Sequence, residues 1–179
     1  MEKLTLLYSK EEIASRVKEL ARTISQDYAG KELILVGILR GTFVFLADLI
    51  RLLEVPAIVD FIGISSYGLG TQSSQQIRLT KDLQVPIEGK DVLIVEDILD
   101  TGLTVDFVLK FLRARRPASL RVCALVDKAE RRLVDVALDY VGFKLDKGFI
   151  VGYGIDCAER YRWLSDIYRI DADPKKNQG

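Results

Sequence analysis

The chain has 179 residues, 49% of them apolar, and its 26 basic and 26 acidic side chains give a formal net charge of zero. That length allows one domain with a sizeable core, and the balanced charge gives no general electrostatic attraction to nucleic acid. No apolar run approaches the ~20 residues that cross a membrane, and the absence of histidine leaves proton transfer to carboxylate, lysine, tyrosine or cysteine side chains.

The first third of the chain predicts a helix followed by two buried strands. Residues 9–12, with the sequence Ser-Lys-Glu-Glu, are typical of a capping box, and apolar positions at helical spacing continue from them towards Gly30. The runs at 33–39 and 56–62 are largely apolar, which favours strands that are covered on both faces. Helices and strands in this alternation indicate an α/β fold.

Arg40 and Gly41 stand at the end of the first of these strands, just before a second predicted helix at 43–50. A glycine and a guanidinium at such a turn suit a bound anion, because backbone N–H groups and a positive charge are both accessible there. A tight turn that carries a surface arginine explains the same two residues, and the pattern alone leaves both interpretations open.

The apolar pattern stops between Ser65 and Lys81, where serine, glycine, threonine and glutamine predominate. A segment of roughly fifteen residues without apolar periodicity is, in a compact domain, usually either functional or disordered. The sequence therefore predicts either a lid over a reacting centre or a flexible hairpin between Ile64 and Ile77.

Residues 92–104 contain the most informative pattern of the chain. A buried strand at 92–95 is followed by three acidic residues and a loop rich in hydroxyl groups, and then by apolar positions at helical spacing. The acidic residues are Glu96, Asp97 and Asp100, and the loop consists of Thr101, Gly102, Leu103 and Thr104. Ligands of open α/β sheets lie at the carboxyl ends of strands, and the free N–H groups of a helix N-terminus bind phosphate. Because carboxylates suit sugar hydroxyls, magnesium or a proton, we expect a phosphorylated sugar with a metal here.

The last third of the chain predicts three further strands. The run at 120–126 leads to Lys128, which presents a cation either at the carboxyl end of a strand or simply at the surface. Residues 139–143 predict a short edge strand, and residues 149–156 predict a strand that begins with an aromatic residue and ends in Asp156. Such an aromatic side chain and carboxylate fit a base-stacking face and a metal ligand, or a core ring and a turn residue.

The two cysteines, Cys123 and Cys157, form no CxxC pattern and are too few for a disulfide scaffold. Cys123 lies inside an apolar run, which is typical of a core position. Reduced thiols indicate a cytoplasmic protein, and a chain without histidine or paired cysteines favours a hard, oxygen-seeking metal such as Mg²⁺.

The order Glu-Asp-x-x-Asp-Thr-Gly at 96–102 resembles the phosphoribosyl-pyrophosphate motif of phosphoribosyltransferases, and within them the 6-oxopurine branch that acts on hypoxanthine and guanine. Relatives that act on orotate or adenine, and the pyrimidine regulator proteins, usually carry two aspartates first and a non-acidic residue at the position of Asp100. Five motifs in the same order, from about Ile34 to Ile167, carry the resemblance.

The resemblance implies how the pyrophosphate end of the substrate is held. Arg40 and Gly41 belong to the pyrophosphate loop of the family, in which the peptide bond before the arginine can be cis. Arg162 matches a further pyrophosphate contact. Ser66 and Tyr67 lie at the root of the mobile loop that closes over the reacting centre.

The sugar and the metal are assigned in the same way. Thr101, Gly102, Leu103 and Thr104 are expected to hold the 5-phosphate of the substrate. Glu96 and Asp97 are expected to face the ribose hydroxyls directly or through Mg²⁺, and Asp156 helps to hold that ion. Asp100 is the expected proton acceptor at the imidazole side of the purine, a role that suits a carboxylate in a chain without histidine.

The resemblance also implies the base site and the fold. Lys128 contacts the six-oxo group, Phe149 stacks on the purine, and backbone groups near Ile150 meet its edge. The type I phosphoribosyltransferase fold has a mostly parallel central sheet flanked by helices, with a small hood from the N- and C-terminal segments, and residues 1–179 are expected to form one such domain.

The expected reaction is the Mg²⁺-dependent transfer of the 5-phosphoribosyl group from phosphoribosyl pyrophosphate to hypoxanthine or guanine, in a homodimer or homotetramer with no nucleic-acid or membrane partner. A regulatory protein that binds phosphoribosyl pyrophosphate is the alternative, although Asp100 and Lys128 suit purine chemistry. Asp100 could also be only a helix cap. A haloacid-dehalogenase-like phosphatase requires two aspartates with one residue between them, whereas two residues lie between Asp97 and Asp100.

Overall fold

The computed structural model describes residues 3–67 and 76–171, which form two sheets and three helices. The helices are α1 Lys10–Asp27, α2 Phe43–Ile50 and α3 Leu103–Arg113. The strands are β1 Lys3–Tyr8, β2 Leu33–Leu39, β3 Ala57–Tyr67, β4 Gln76–Lys81, β5 Asp91–Leu99, β6 Ser119–Lys128, β7 Tyr140–Leu145, β8 Phe149–Val151 and β9 Ile167–Asp171. No helix among these is long and apolar enough to cross a membrane.

The larger sheet has six strands in the order β4-β3-β2-β5-β6-β7. All neighbouring pairs are parallel except β3 and β4, which are antiparallel. The carboxyl ends of β2, β5 and β6 therefore meet at one edge, where α/β sheets bind their ligands. This arrangement confirms the predicted α/β fold with a mostly parallel central sheet.

The buried strands contribute alternate residues to two cores, because successive side chains in a strand point to opposite faces. Leu33 and Leu35 pack with buried residues of α1 and α2 on one face, while Ile34 and Val36 pack with α3 on the other. Cys123 is completely buried on the first face, as its apolar surroundings in the sequence predict. Coverage of both faces explains why these strands are continuously apolar.

The smaller sheet, called the hood below, has three strands in the order β1-β9-β8. Both of its strand pairs are antiparallel, so the first strand of the chain is paired with the last. The predicted capping box is present: Ser9 Oγ accepts from the N–H of Glu12, and Glu12 Oε2 accepts from the N–H of Ser9. The N–H of Lys10 donates to Asp166 Oδ1 at 2.7 Å and joins the start of α1 to the segment before β9.

Two predicted elements differ from the structure or lie partly outside the described residues. The strand predicted over 149–156 ends at Val151, because Gly152 and Gly154 have φ angles of 102° and 95°, which turn the chain out of the extended conformation. The predicted lid includes residues 68–75, which lie outside the described residues. Ser66 and Tyr67 end β3, and their side chains also lie outside the described part.

Asp60 is a buried carboxylate in the middle of β3, and it fixes the turn that follows β4. Its Oδ2 accepts from the N–H groups of Gln84 and Val85 at 2.6 and 2.9 Å, and its Oδ1 accepts from the N–H of Phe61 and from Lys81 Nζ. Burial raises the pKa of this carboxyl, but the hydrogen bonds outweigh burial and hold the pKa below its usual range.

Replacing Asp60 with asparagine is expected to lower the free energy of unfolding at pH 7 by about 2 kcal/mol, because the charged acceptor is lost. A lowered native pKa adds stability above the unfolded pKa and loses it as pH falls, so the deficit of Asp60→Asn should shrink below about pH 4. Urea unfolding at both pH values measures this, with exposed Asp135→Asn as the control. A deficit that is constant with pH would contradict the ionic role.

Candidate active site

A cleft of about 470 Å³ lies at the carboxyl edge of the central sheet, beneath the hood. Its walls come from the turn after β2, the ends of β5 and β6, strand β8 and the turn after β8. The predicted site residues that line it are Arg40, Gly41, Glu96, Asp97, Asp100, Thr104, Lys128, Phe149, Ile150, Asp156 and Arg162. Segments far apart in the sequence therefore meet at one place.

Glu96 and Asp97 are adjacent buried carboxylates at the end of β5, each 7% exposed. The N–H of Asp97 donates to Glu96 Oε1, and the N–H of Ile98 donates to Asp97 Oδ1. Burial, together with the charge of Asp97, raises the pKa of Glu96 well above its usual range. Two adjacent buried carboxyl groups bring negative charges close together, and a hard divalent cation bound beside them would neutralise that charge.

Gly41 lies directly against Asp97. A Cβ atom at Gly41 would overlap the Asp97 carboxylate, and a Cβ atom at Gly154 would overlap the carbonyl oxygen of Gly41. The Leu39–Arg40 peptide bond is cis, as it can be in the resembled family. The turn after β2 can approach both the acidic pair and the turn after β8 only because these two positions lack side chains.

The loop 101–104 begins α3 and borders a second cavity of about 110 Å³, which is also lined by Asp100. Thr101, Gly102 and Thr104 line this cavity, while the N–H of Leu103 donates to Thr101 Oγ1 at 3.4 Å. The N-cap of α3 is Gly102, at φ 85°, and no side chain caps the helix. Apart from that of Leu103, the N–H groups at the start of α3 are thus available to an anion.

Residues 132–134 hydrogen-bond the carbonyl groups at the end of β5 and at the start of this loop. Arg132 donates from Nε to the Asp100 carbonyl at 2.9 Å and from Nη2 to the Leu99 carbonyl at 3.1 Å. The N–H groups of Leu133 and Val134 both donate to the Thr101 carbonyl. Three successive carbonyl groups are therefore engaged on one side of the loop.

Arg132 also contacts the end of β6. Its Nη2 lies 2.6 Å from Asp127 Oδ1 and 3.4 Å from the Lys128 carbonyl oxygen. This link between β5 and β6 is missing from the sequence predictions. An arginine in a polar loop carries no periodic signal, and only the spatial meeting of the two strand ends reveals what it contacts.

Asp100 faces Lys128 across the cleft. Lys128 is only 4% exposed, and its Nζ lies 3.5 Å from Asp100 Oδ1 and 3.7 Å from Glu130 Oε2. Arg131 Nη1 lies 3.6 Å from Asp100 Oδ2. Asp100 Oδ1 is buried and makes no hydrogen bond to any described group. The N-cap of α3 is Gly102 and not Asp100, and a ligand could supply the hydrogen-bond donor that Oδ1 lacks.

The hood forms the opposite wall. The Phe149 side chain is 48% exposed at the start of β8, whereas Ile150 is 3% exposed. An aromatic ring that is half exposed at the rim of a cleft offers a face for stacking. The ring, the Ile150 backbone and Lys128 are all placed around the same cleft.

Four charged residues form a network on the side of the turn after β8. Arg162 Nη2 lies 2.8 Å from Asp156 Oδ1 and 3.3 Å from Glu159 Oε2, and Arg40 Nη2 lies 2.6 Å from Glu159 Oε1. Over residues 3–67 and 76–171, no three acidic or cysteine side chains converge as a ready-made metal cage. Asp156, a predicted metal ligand, is paired with Arg162 instead.

Comparison with known proteins places this geometry in a family. A family model described as the phosphoribosyl transferase domain matches residues 4–157. The chain is 46% identical to the hypoxanthine-guanine phosphoribosyltransferase of Aquifex aeolicus, over 94% of this chain and 96% of that protein. It is 49% identical to the hypoxanthine phosphoribosyltransferase of Salmonella typhimurium, over 89% of this chain and 90% of that protein.

Solved structures agree with these relatives. The crystal structure of a hypoxanthine-guanine phosphoribosyltransferase from Bacillus anthracis superposes with a TM-score of 0.87 at 45% identity, over 96% of this chain and 99% of that chain. That of a hypoxanthine phosphoribosyltransferase from Staphylococcus aureus gives a TM-score of 0.90 at 40% identity, over 98% and 94% of the two chains. The chain therefore belongs to the phosphoribosyltransferase family and, within it, to the 6-oxopurine branch of pentosyltransferase enzymes.

Proposed function

We propose that the protein acts in purine salvage by a Mg²⁺-dependent transfer of the 5-phosphoribosyl group from phosphoribosyl pyrophosphate to hypoxanthine or guanine. The products are the corresponding nucleoside monophosphate and pyrophosphate. One observation carries the proposal: Asp100 Oδ1, which makes no hydrogen bond to a described group, faces the buried Lys128 at 3.5 Å in a cleft that borders a helix N-terminus.

The 5-phosphate lies on the loop formed by Thr101, Gly102, Leu103 and Thr104. Backbone N–H groups at the start of α3 and the two threonine hydroxyls bind its oxygens. The small cavity beside Asp100 supports this position, because it adjoins the cleft and is lined by the loop. The ribose then extends from the loop towards the buried carboxylates Glu96 and Asp97, which accept hydrogen bonds from its hydroxyls.

The pyrophosphate group lies towards Arg40, Gly41 and Arg162. The two guanidinium groups stabilise the negative charge that builds up as the glycosidic bond breaks. The shared lining of one cleft by Arg40, Gly41 and Arg162 supports this position.

The purine lies between Phe149 and the end of β6. Lys128 donates to the six-oxo group, the aromatic ring stacks on the base, and the backbone near Ile150 meets its edge. As the purine nitrogen attacks the sugar carbon, which has oxocarbenium character, Asp100 accepts the proton from the imidazole side. Its Oδ1 atom is suited to that role because it makes no hydrogen bond to a described group and has only the Lys128 ammonium nearby, at 3.5 Å.

The residues present fit a divalent metal ion. Glu96, Asp97 and Asp156 offer hard oxygen ligands around the cleft, and burial together with the charge of Asp97 raises the pKa of Glu96. When bound, Mg²⁺ neutralises charge on the leaving pyrophosphate. Asp156 would share its carboxylate between this role and Arg162.

The proposal is tested by mixing the purified protein with phosphoribosyl pyrophosphate, Mg²⁺ and one base at a time. Hypoxanthine or guanine should yield nucleotide and pyrophosphate, while adenine should be inert because its six-amino group repels the Lys128 cation instead of accepting its hydrogen bond. Including xanthine defines the preference at the second position of the base. Binding of phosphoribosyl pyrophosphate without turnover of any base would favour a regulatory protein instead.

The wider setting of the enzyme is part of the same proposal. We expect one domain over residues 1–179 and a homodimer or homotetramer. Phe43 and Trp163 support self-association, because their large side chains are 46% and 82% exposed in the described structure. The free cysteines, Cys123 and Cys157, are consistent with a cytoplasmic location.

A further inference from the structure

Glu159 bridges the two arginines to which the proposed function assigns the pyrophosphate. Its Oε1 lies 2.6 Å from Arg40 Nη2, and its Oε2 lies 3.3 Å from Arg162 Nη2. One carboxylate thus places one oxygen on each guanidinium, as a bound phosphate group would. None of the roles assigned above uses Glu159.

The backbone holds Glu159 in this position. Ala158 and Glu159 have φ angles of 50° and 64°, a left-handed conformation that is strained for a residue with a side chain. The N–H of Glu159 donates to Asp156 Oδ2 at 2.8 Å, and Cys157 and Arg160 form an isolated bridge that closes the turn. The carboxylate is therefore presented by a defined turn.

The ion pair between Glu159 and Arg40 is weak enough for a bound anion to replace it. The side chains of Glu159 and Arg40 are 58% and 69% exposed, so water screens their ion pair. Exposed pairs of this kind contribute little net free energy. Pyrophosphate carries several negative charges, whereas Glu159 carries one, so pyrophosphate competes favourably for the two arginines.

We propose that Glu159 is an internal stand-in for the leaving pyrophosphate, which holds Arg40 and Arg162 in the free protein and must give way when the ligand binds. This inference rests on the proposed function, because it assumes that both arginines bind pyrophosphate. Glu159 thereby lowers the affinity for phosphoribosyl pyrophosphate and for the released product. It acts through the arginines and is a positioning residue.

The test is calorimetric titration of the purified protein with inorganic pyrophosphate and Mg²⁺. Glu159→Gln is expected to lower the Kd for pyrophosphate by between about threefold and tenfold, because one exposed ion pair is no longer broken and one like charge is removed. Glu159→Ala should act in the same direction. The affinity for inosine monophosphate, which lacks a pyrophosphate group, should not change.

Two controls separate this effect from a general change in charge. Glu88→Gln removes the same charge from another exposed pair, with Arg116, outside the cleft, and it should leave the pyrophosphate affinity unchanged. In an Arg40→Ala background the gain from Glu159→Gln should shrink, as expected when two residues act on one interaction. Raising the salt concentration should also shrink it.

The direction in which Glu159→Gln changes the pyrophosphate affinity decides the proposal. Unchanged or weaker pyrophosphate binding by Glu159→Gln, in a protein whose parent binds pyrophosphate and forms nucleotide, overturns the role of Glu159 alone. A parent protein that neither binds pyrophosphate nor forms nucleotide overturns the proposed function itself.

Discussion

Replacing Asp100 with asparagine should lower turnover by about 100-fold or more, the usual effect of losing a general base. The amide keeps the shape of the side chain but cannot accept the proton that the purine releases. The loop 101–104, proposed to bind the 5-phosphate, is unchanged, and so are Arg40 and Arg162, proposed to bind the pyrophosphate. The Kd for phosphoribosyl pyrophosphate should therefore stay the same. Steady-state kinetics with hypoxanthine, together with calorimetric titration of phosphoribosyl pyrophosphate, measure the two quantities separately.

Asp106→Asn provides the matched control for Asp100→Asn. Asp106 is the next carboxylate along the chain, lies on α3 and pairs with Lys110 outside the cleft. Its replacement should leave turnover unchanged. If Asp100→Asn turns over hypoxanthine as fast as the parent protein, Asp100 is not the proton acceptor.

Gly102→Ala is expected to damage both stability and substrate binding. Gly102 has φ 85°, and a Cβ atom there would overlap the carbonyl oxygen of Val134, which is backbone and cannot rotate away. The strain and the overlap together should lower the free energy of unfolding by roughly 3 kcal/mol. Displacing the 5-phosphate loop should lower kcat/KM for phosphoribosyl pyrophosphate on the order of 100-fold, the scale of a misplacement of about 1 Å.

Gly89→Ala separates the two causes. Gly89 has a similar φ angle of 68°, but a Cβ atom there would meet nothing within 4 Å. This variant should lose only about 1 kcal/mol, which lowers the melting temperature by roughly 2–4 °C. It should keep its kinetics. Equal losses of kcat/KM in both variants would show that the overlap at Val134 does not set the loop geometry.

The buried strands and the loop 101–104 could be predicted from the sequence, because the patterns that indicate them lie in consecutive residues. The run at 92–95 has no polar residue that would mark an exposed face, and it is completely buried between two layers of helices. Because Glu96 and Asp97 come directly after this run, they lie near the carboxyl end of the strand, at the edge of the sheet. The same reasoning gave the capping box at Ser9, which depends on residues only three positions apart.

Other features depend on contacts between distant segments and could not be predicted from the sequence. Arg132 reaches the carbonyl groups of Leu99 and Asp100, and Glu159 reaches Arg40 across 119 positions. The premature end of β8 is different, because Gly152 and Gly154 were visible in the sequence. Their positive φ angles arise from close approach to the Asp166 and Gly41 backbones, which only the folded chain brings together.

The hydrogen bonds of Arg132 tie the end of β5 to the end of β6, so the loop proposed to bind the 5-phosphate and the lysine proposed to contact the base are mechanically joined. A substitution that reshapes the surroundings of Lys128 is therefore transmitted to the phosphate loop. Phe149 and Ile150 belong to the hood, which is a separate sheet, and the hydrogen bonds of Arg132 described above do not include them. Laboratory evolution towards a new nucleobase should consequently accumulate its tolerated changes in the hood.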